Sequence, residues 1–493
     1  MVKIKVHEIL VWLLFLLCAP VILFILFIID GLRGEKHAKY INLVGSTYLI
    51  VYGFFFYIVY WLEGFPKEHL VLYSVPGLGE VYGILIDPFS VAFSSIISIV
   101  AGAVMIYSTD YMTPSNNYHP VISGKAKFYA WMYLFISSVL LFVCSSSLIQ
   151  LLINFELMSL ACWGLISYYG SPEATRSSYK MLIITHLGAY AGLGTAIAYL
   201  ILNTSNTSLL VLGRLNDWGK ILIITTAMWA AITKSSQFPT YSWLPDAMVA
   251  PTPTSALLHG ATMIEMGPYL MARILYYAGN LPRSTIYVIL VPVTITLLIA
   301  TSMYPLLKDG KRLLAYSTIA EASIMYFTVS TMIYNKILGL ELFLLYFTIH
   351  AFLKSSGFLL MGIAGYIKGT HDLDEIIGLI GSSPFLYNAL IAVLFGLSGI
   401  PVFSIAKIYV LVRMGSVLSD PVSITAYILV LAESLVFLII SMKWVGKARE
   451  ARSIFNDSLP RRMCFSIALL LFCLYFYQLY FFTTMMPSVG GGL

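Results

Sequence analysis

Apolar residues dominate this chain in long blocks, with polar residues confined to short gaps between them. Blocks of about 20 apolar residues, the length needed to cross the hydrocarbon of a bilayer, recur from end to end. They predict spans near 9–29, 43–61, 84–107, 127–146, 148–168, 178–202, 219–238, 254–277, 284–305, 312–333, 338–366, 388–413, 424–443 and 463–483. The expected fold class is therefore an all-α polytopic membrane protein of about 14 transmembrane helices. The gaps are too short to hide a soluble domain. Pro20 is followed directly by more apolar sequence with no small-residue cleavage site, so the first block reads as a span rather than a cleaved leader.

Two blocks are interrupted. Phe238-Pro239 and Trp243-Leu244-Pro245 break the seventh, and Gly399-Ile400-Pro401 breaks the twelfth. Proline frees backbone carbonyls, which a membrane tolerates only beside protein or a wet cavity. Broken helices five spans apart, each near a lysine (Lys234, Lys407), match the pattern of repeated transporter halves. The expected organisation is residues 1–115 as helices 1–3, 116–280 and 281–445 as two five-helix units, and 446–493 carrying the last helix.

Composition agrees. The 493 residues are 59% hydrophobic and 11% charged, with a mean hydropathy of +0.87, which leaves too little polar surface for a soluble protein. The net charge of +6 follows from loop asymmetry. Arg33, Lys36, Lys39, Lys125, Lys127, Arg176, Lys308, Lys311, Arg312, Lys368, Lys443, Lys447, Arg449, Arg452, Arg461 and Arg462 share one set of alternate loops. Lys3, Lys5, Lys67, Arg214, Lys220, Arg283, Lys336 and Arg413 share the other, a bias of roughly two to one that puts both termini outside. No basic stripe interleaved with aromatics points to nucleic acid. Cys18, Cys144, Cys162, Cys464 and Cys473 form no Cys-x-x-Cys, and glycine-rich nucleotide loops are absent, so no metal site or cofactor is expected in this chain.

Charges at membrane depth remain: Glu156, Lys180, His186, Lys234, His259, Glu265, Glu321, His350, Lys354 and Lys407. A lysine in a hydrophobic span costs roughly 2.5–3.5 kcal/mol on insertion scales, so Lys234 is expected to face a partner or a wet interior rather than snorkel. Acids, amines and imidazoles spread over many helices suit a line of proton sites. Lys180, near a span start, reads equally well as an interfacial anchor, and Glu321 as a residue bonded to backbone. His350 and Lys354, spaced i,i+4, share one helix face. His259 and Glu265 lie about 120° apart on helical geometry and are expected to face different neighbours. Nothing places His259 and His350 on two sides of a haem.

The stretch from Lys234 to Arg273, KSSQFPTYSWLPDAMVAPTPTSALLHGATMIEMGPYLMAR, resembles the signature of the antiporter-like membrane subunits. These occur in respiratory complex I, multisubunit cation/proton antiporters and membrane-bound energy-converting hydrogenases. Supporting matches are Asn154-Phe155-Glu156-Leu157-Met158-Ser159, Lys311-Arg312-Leu313-Leu314-Ala315-Tyr316-Ser317-Thr318 and the His350/Lys354 segment. The resemblance covers spans 4–12. It implies fourteen helices with two inverted five-helix repeats, and a proton-translocating, alternatively Na⁺/H⁺-exchanging, subunit of a redox-driven complex in a prokaryotic plasma membrane. Iron–sulfur clusters or other redox centres are then expected in partner subunits, reached through further membrane subunits.

The resemblance also implies roles. Glu156 pairs with Lys234, His259 bridges, His350 and Lys354 form the centre, and Lys407 is the terminal site. Three positions depart from the pattern. Glu265 stands where relatives carry lysine or a neutral residue, two residues are missing between Pro401 and Lys407, and Tyr346 replaces a second histidine. The chain ends soon after its last span, like mid-length members without a long lateral helix. Two other classes fit the bare residues: a stand-alone secondary transporter, and a non-pumping structural subunit whose charges lock helices together.

Overall fold

The computed structural model describes residues 6–64, 66–451 and 459–484. Lys3, Lys5, Arg452 and the chain's two ends lie outside them. Two helices, α1 (Val6–Leu32) and α2 (Ala38–Leu62), lead to an antiparallel hairpin, β1 (Glu68–Val75) and β2 (Gly79–Ile86). Then come α3 (Pro88–Tyr111), α4 (Lys125–Val143), α5 (Leu148–Ile166) and α6 (Pro172–Gly188). The last runs through a π-helical turn at Ala189–Gly194 into α7 (Thr195–Thr204). The broken region follows: α8 (Asp217–Lys234), one-turn α9 (Trp243–Asp246), α10 (Thr252–Gly260) and α11 (Met266–Ala278). The rest is α12 (Thr285–Met303), α13 (Gly310–Ser330), α14 (Lys336–Lys368), α15 (Leu373–Ser382), α16 (Pro384–Ser398), α17 (Pro401–Gly415), α18 (Pro421–Glu450) and α19 (Arg461–Thr484).

Among the described residues, eleven helical stretches are long and apolar enough to cross a membrane. Large apolar side chains such as Phe15, Val44, Leu298, Leu435 and Phe472 stay exposed on their outer faces, as lipid contact requires. This is a multi-pass membrane protein.

Two expectations change. The span drawn at 84–107 begins as strand, because Asp87 stops β2 and starts α3. Its carboxylate accepts from Ser90 N at 2.8 Å while the Ser90 hydroxyl returns to Asp87 N, with Pro88 in the first turn. The span drawn at 254–277 is two helices, parted at 261–265 with no proline there. Gly260 packs so tightly on α14 that an added Cβ would lie 1.9 Å from Ser355 Oγ, and Thr262 Oγ1 donates to the freed Leu257 carbonyl at 2.6 Å. The seventh and twelfth spans do break as predicted: α8 stops at Lys234 ahead of Pro239 and Pro245, and Gly399 (φ 85°) separates α16 from Pro401.

Two loop pairs lock in the same way. Leu148 N donates to Thr207 O (2.8 Å) and Leu209 N to Ser146 O (2.8 Å). Likewise Gly310 N donates to His371 O (2.9 Å) and Leu373 N to Lys308 O (2.8 Å). The helix starts they join are capped by Ser147 for α5 and Asp309 for α13.

One buried ion pair ties the hairpin's end to α11. Arg273 meets the Asp87 carboxylate, and its Nε donates to Tyr269 Oη at 2.8 Å. Removing one partner of such a pair strands the other charge. Arg273→Met is expected to cost about 3–5 kcal/mol, read as a lower thermal unfolding midpoint in detergent. Asp87→Asn combined with Arg273→Met is expected to regain part of the loss.

Candidate functional site

The site begins where α8 ends. Lys234 is fully buried. Its Nζ donates to Phe155 O at 2.8 Å and Ser159 Oγ at 2.7 Å, both on α5, and lies 3.7 Å from the centre of the Phe155 ring. Past the break, Ser235 Oγ meets Tyr326 Oη at 2.7 Å. Gln237 accepts from Ser323 Oγ at 2.7 Å, which joins the loop to α13.

Glu156 does not pair with Lys234 here. Its carboxylate contacts His186 Nδ1 on α6, and Lys234 is held by neutral oxygens instead. The reason is angular: Phe155 and Ser159, one turn apart, face α8, while Glu156 lies a further 100° round the helix.

The centre is assembled by α10, α11, α13 and α14. His350 Nε2 lies 2.9 Å from His259 O and 3.0 Å from Glu265 Oε1. Its Nδ1 is 3.7 Å from Glu321 Oε2. Glu321 accepts from Tyr346 Oη at 2.6 Å and from Lys407 Nζ at 3.0 Å. Lys407 also donates to Leu397 O near the end of α16, a few residues ahead of the Gly399 break. Lys354 donates to Ser317 Oγ, and Glu433 on α18 accepts from Tyr304 Oη at 2.8 Å.

The helix break at 261–265 brings both His259 and Glu265 to His350, although their side chains face different neighbours, as expected. They reach it unequally. The His259 ring packs 4.6 Å from Phe358, and only its carbonyl meets His350. The two ring nitrogens of His259 and both Glu265 oxygens are buried with no hydrogen-bond partner. Polar atoms in that condition are where bridging water belongs. His350 and Lys354 share a face, as their spacing implies, but bond to different neighbours.

Lys180 stands apart from this line. It pairs with Asp246 at 2.8 Å and donates to Ser242 O at 3.2 Å, partly exposed, in the manner of an interfacial anchor. Glu433 and Lys311 were missed. Glu433 is the single charge in the apolar stretch 421–442, a signal available in the sequence. Lys311, placed among the loop charges, is in fact buried, with Nζ bonded to Met248 O and Ala250 O at 2.8 Å each. Among the described residues, no group of three or more His, Cys, Asp or Glu side chains could hold a metal ion.

Residues 145–445 match the family described as "NADH:quinone oxidoreductase/Mrp antiporter, TM". Residues 75–119 match "NADH-Ubiquinone oxidoreductase (complex I), chain 5 N-terminus". The A component of a Na⁺/H⁺ antiporter from Alkalihalophilus pseudofirmus is 30% identical over 75% of this chain and 47% of its own length. The A1 component of a Na⁺/H⁺ antiporter from Staphylococcus haemolyticus is 29% identical over 67% of this chain and 42% of its own. The chain thus spans about half the length of the curated relatives it matches. Two solved structures share the fold. The Mrp complex from Dietzia sp. aligns at TM-score 0.70 and 22% identity, over 94% of this chain and 56% of that one. The membrane-bound sulfane sulfur reductase, an archaeal respiratory membrane complex, aligns at 0.80 and 18%, over 97% and 95%.

The contacts rank the two acids nearest Lys407. Glu321→Gln leaves a buried lysine without its carboxylate, so it is expected to destabilise the protein by about 3–5 kcal/mol. Glu433→Gln removes only a hydroxyl's acceptor charge and is expected to cost about 1–2 kcal/mol. Thermal unfolding of the two variants side by side checks the order.

Proposed function

Because the chain belongs to the NADH:quinone oxidoreductase/Mrp antiporter transmembrane family, we propose that it is a proton-translocating subunit of a larger ion-pumping complex. The observation that carries this reading is the run Lys407–Glu321–His350–Glu265, whose consecutive contacts are 3.0, 3.7 and 3.0 Å through the fully buried middle of the protein. This alternation of amine, acid and imidazole sets a proton acceptor at each station, with bridging water called for where His350 Nδ1 and the Glu265 oxygens stand without a hydrogen-bond partner.

Lys234 with Glu156 and His186 forms the other end of the line. A carboxylate turned toward Lys234 favours the ammonium, and one turned toward His186 releases it. Moving one charge against 150 mV costs about 3.5 kcal/mol, scaled from about 2.3 per 100 mV, comparable to the interaction made or lost at such a buried pair. Between the ends, Lys354, Lys311 and the unpartnered His259 ring are the stations nearest bridging water.

The fourteen-helix fold counts α8, the pair α10–α11 and α13 as spans beside the eleven longer ones. The units 116–280 and 281–445 are then inverted repeats, flanked by helices 1–3 (1–115) and the last helix (446–493). The matched loop locks at the starts of α5 and α13 support this, since the intervening crossings place those starts on opposite faces. So does the lysine partner: Ser159 stands twelve residues after the cap Ser147, and Glu321 twelve after the cap Asp309. In this reading the basic loops face the cytoplasm of a prokaryote and both termini lie outside. Redox centres, iron–sulfur clusters among them, belong to partner subunits.

The test is ion uptake by inverted vesicles holding the assembled complex, each run with and without Na⁺. Lys234→Ala is expected to reduce uptake to background with assembly intact, and unchanged uptake would sink the proposal. A requirement for Na⁺ in the wild type would make this protein an exchanger rather than a proton path alone. Activity from this chain expressed alone would favour a stand-alone transporter.

A further inference from the structure

Outside the line just described, one titratable cluster sits where the 112–124 and 369–372 loops meet the start of α13. His371 is 3% exposed, yet neither ring nitrogen has a hydrogen-bond partner. Its ring stands edge-on to Tyr118 at 4.2 Å between centres. Tyr118 in turn lies 4.5 Å from His119, a half-buried ring stacked on Tyr169 at 4.1 Å. On the inner side, His371 O accepts from Gly310 N, and the next residue is the buried Lys311.

A histidine in that position is costly to keep. Its ring is pressed against α14 so closely that a Cβ on Gly365 would lie 2.6 Å from Nε2. The matching lock in the other unit holds Thr207 there, whose hydroxyl is spent on a neighbouring backbone carbonyl, Glu80 O. Packing alone would be served by an apolar side chain, because an unpartnered buried imidazole forfeits hydrogen bonds. Burial, then the Lys311 charge and His119, pushes the His371 pKa well below the ordinary imidazole value. The ring therefore rests neutral, with one nitrogen free to accept a proton and the other to donate one. Lys311 is near enough for its charge to act on His371, His119 and His259 alike, and its Nζ is tied to the 248–250 turn that leads into α10.

We propose that His119, His371 and Lys311 form a proton port, connecting the basic-loop face of the protein to the middle of the buried line at His259 and His350. This rests on the proton-path reading above and adds to it an access route that joins the line between its two ends, Lys234 and Lys407, and still depends on both. A proton taken up at His119 or from water beside it passes to His371, then to Lys311 once that amine has released its own proton toward His259. Every step is a transfer between a donor and an acceptor with no other bond made or broken.

The experiment uses the same vesicles and complex. His371→Gly is expected to slow proton uptake at least about a hundredfold, the low end of what a positioned acid–base group contributes. Added imidazole is expected to restore it, whereas pyrrole, of the same shape but not basic, is expected to leave it slow. A wild-type rate in His371→Gly, or equal rescue by pyrrole, overturns the port and reduces His371 to packing. His119→Gln, at a ring still partly open to solvent, is expected to keep the fold and slow uptake about threefold, a fraction of that acid–base contribution. An unchanged rate there also counts against the port. Lys234→Ala run in parallel separates the two ideas: if it transports normally, the proton path itself fails, whatever His371 does.

Discussion

Everything in this protein turns on keeping ionisable groups solvated where no bulk water reaches. A charge at the middle of a bilayer must find its counter-charge, a carbonyl or a bridging water inside the protein. The three helix breaks follow from that demand. The chain leaves the helix after Lys234, at 261–265 beside His350 and at Gly399 close to Lys407. The backbone oxygens His259 O and Leu397 O, at or near breaks, bond to buried ionisable groups, while Lys234 uses oxygens from the neighbouring α5. The polar path and the irregular backbone are one construction.

How much of this the sequence displays depends on whether the feature is one-dimensional. A lysine in an apolar run five residues before a proline is visible in the chain itself, so Lys234, Pro239 and Pro401 could be singled out directly. Glu265 as a partner of His350 could not, because it requires a helix break at 261–265 that no proline or other local signal announces. Glu156 turning to His186 is likewise a choice among neighbours that only packing decides. Lys311 shows the limit most plainly. It sits beside Arg312 at a helix start, and one points into the protein while the other stays exposed. Basic residues at such a boundary look alike until the fold assigns them sides. Glu433 is a different case, a lone acid in an apolar run that was overlooked although the pattern displays it. The hairpin strand β2 was absorbed into a predicted span because Gly83-Ile84-Leu85-Ile86 reads as apolar in any window.

The two lysines of the broken helices rest on unlike partners at equivalent places, a serine hydroxyl for Lys234 and a carboxylate for Lys407. The Lys234 amine meets only neutral oxygens within hydrogen-bond reach, whereas the Lys407 amine faces the Glu321 carboxylate at 3.0 Å.

The paired backbone locks carry a mechanical consequence. Each ties the start of one helix, α5 or α13, to the chain leaving the next long helical segment, with two hydrogen bonds per lock. Helices clamped in this way cannot slide along the membrane normal without tearing both bonds. Glu156, Ser159 and Glu321 therefore ride on stators. The motion left to the protein is then side-chain rotation and shifts of the short broken segments against a stationary frame.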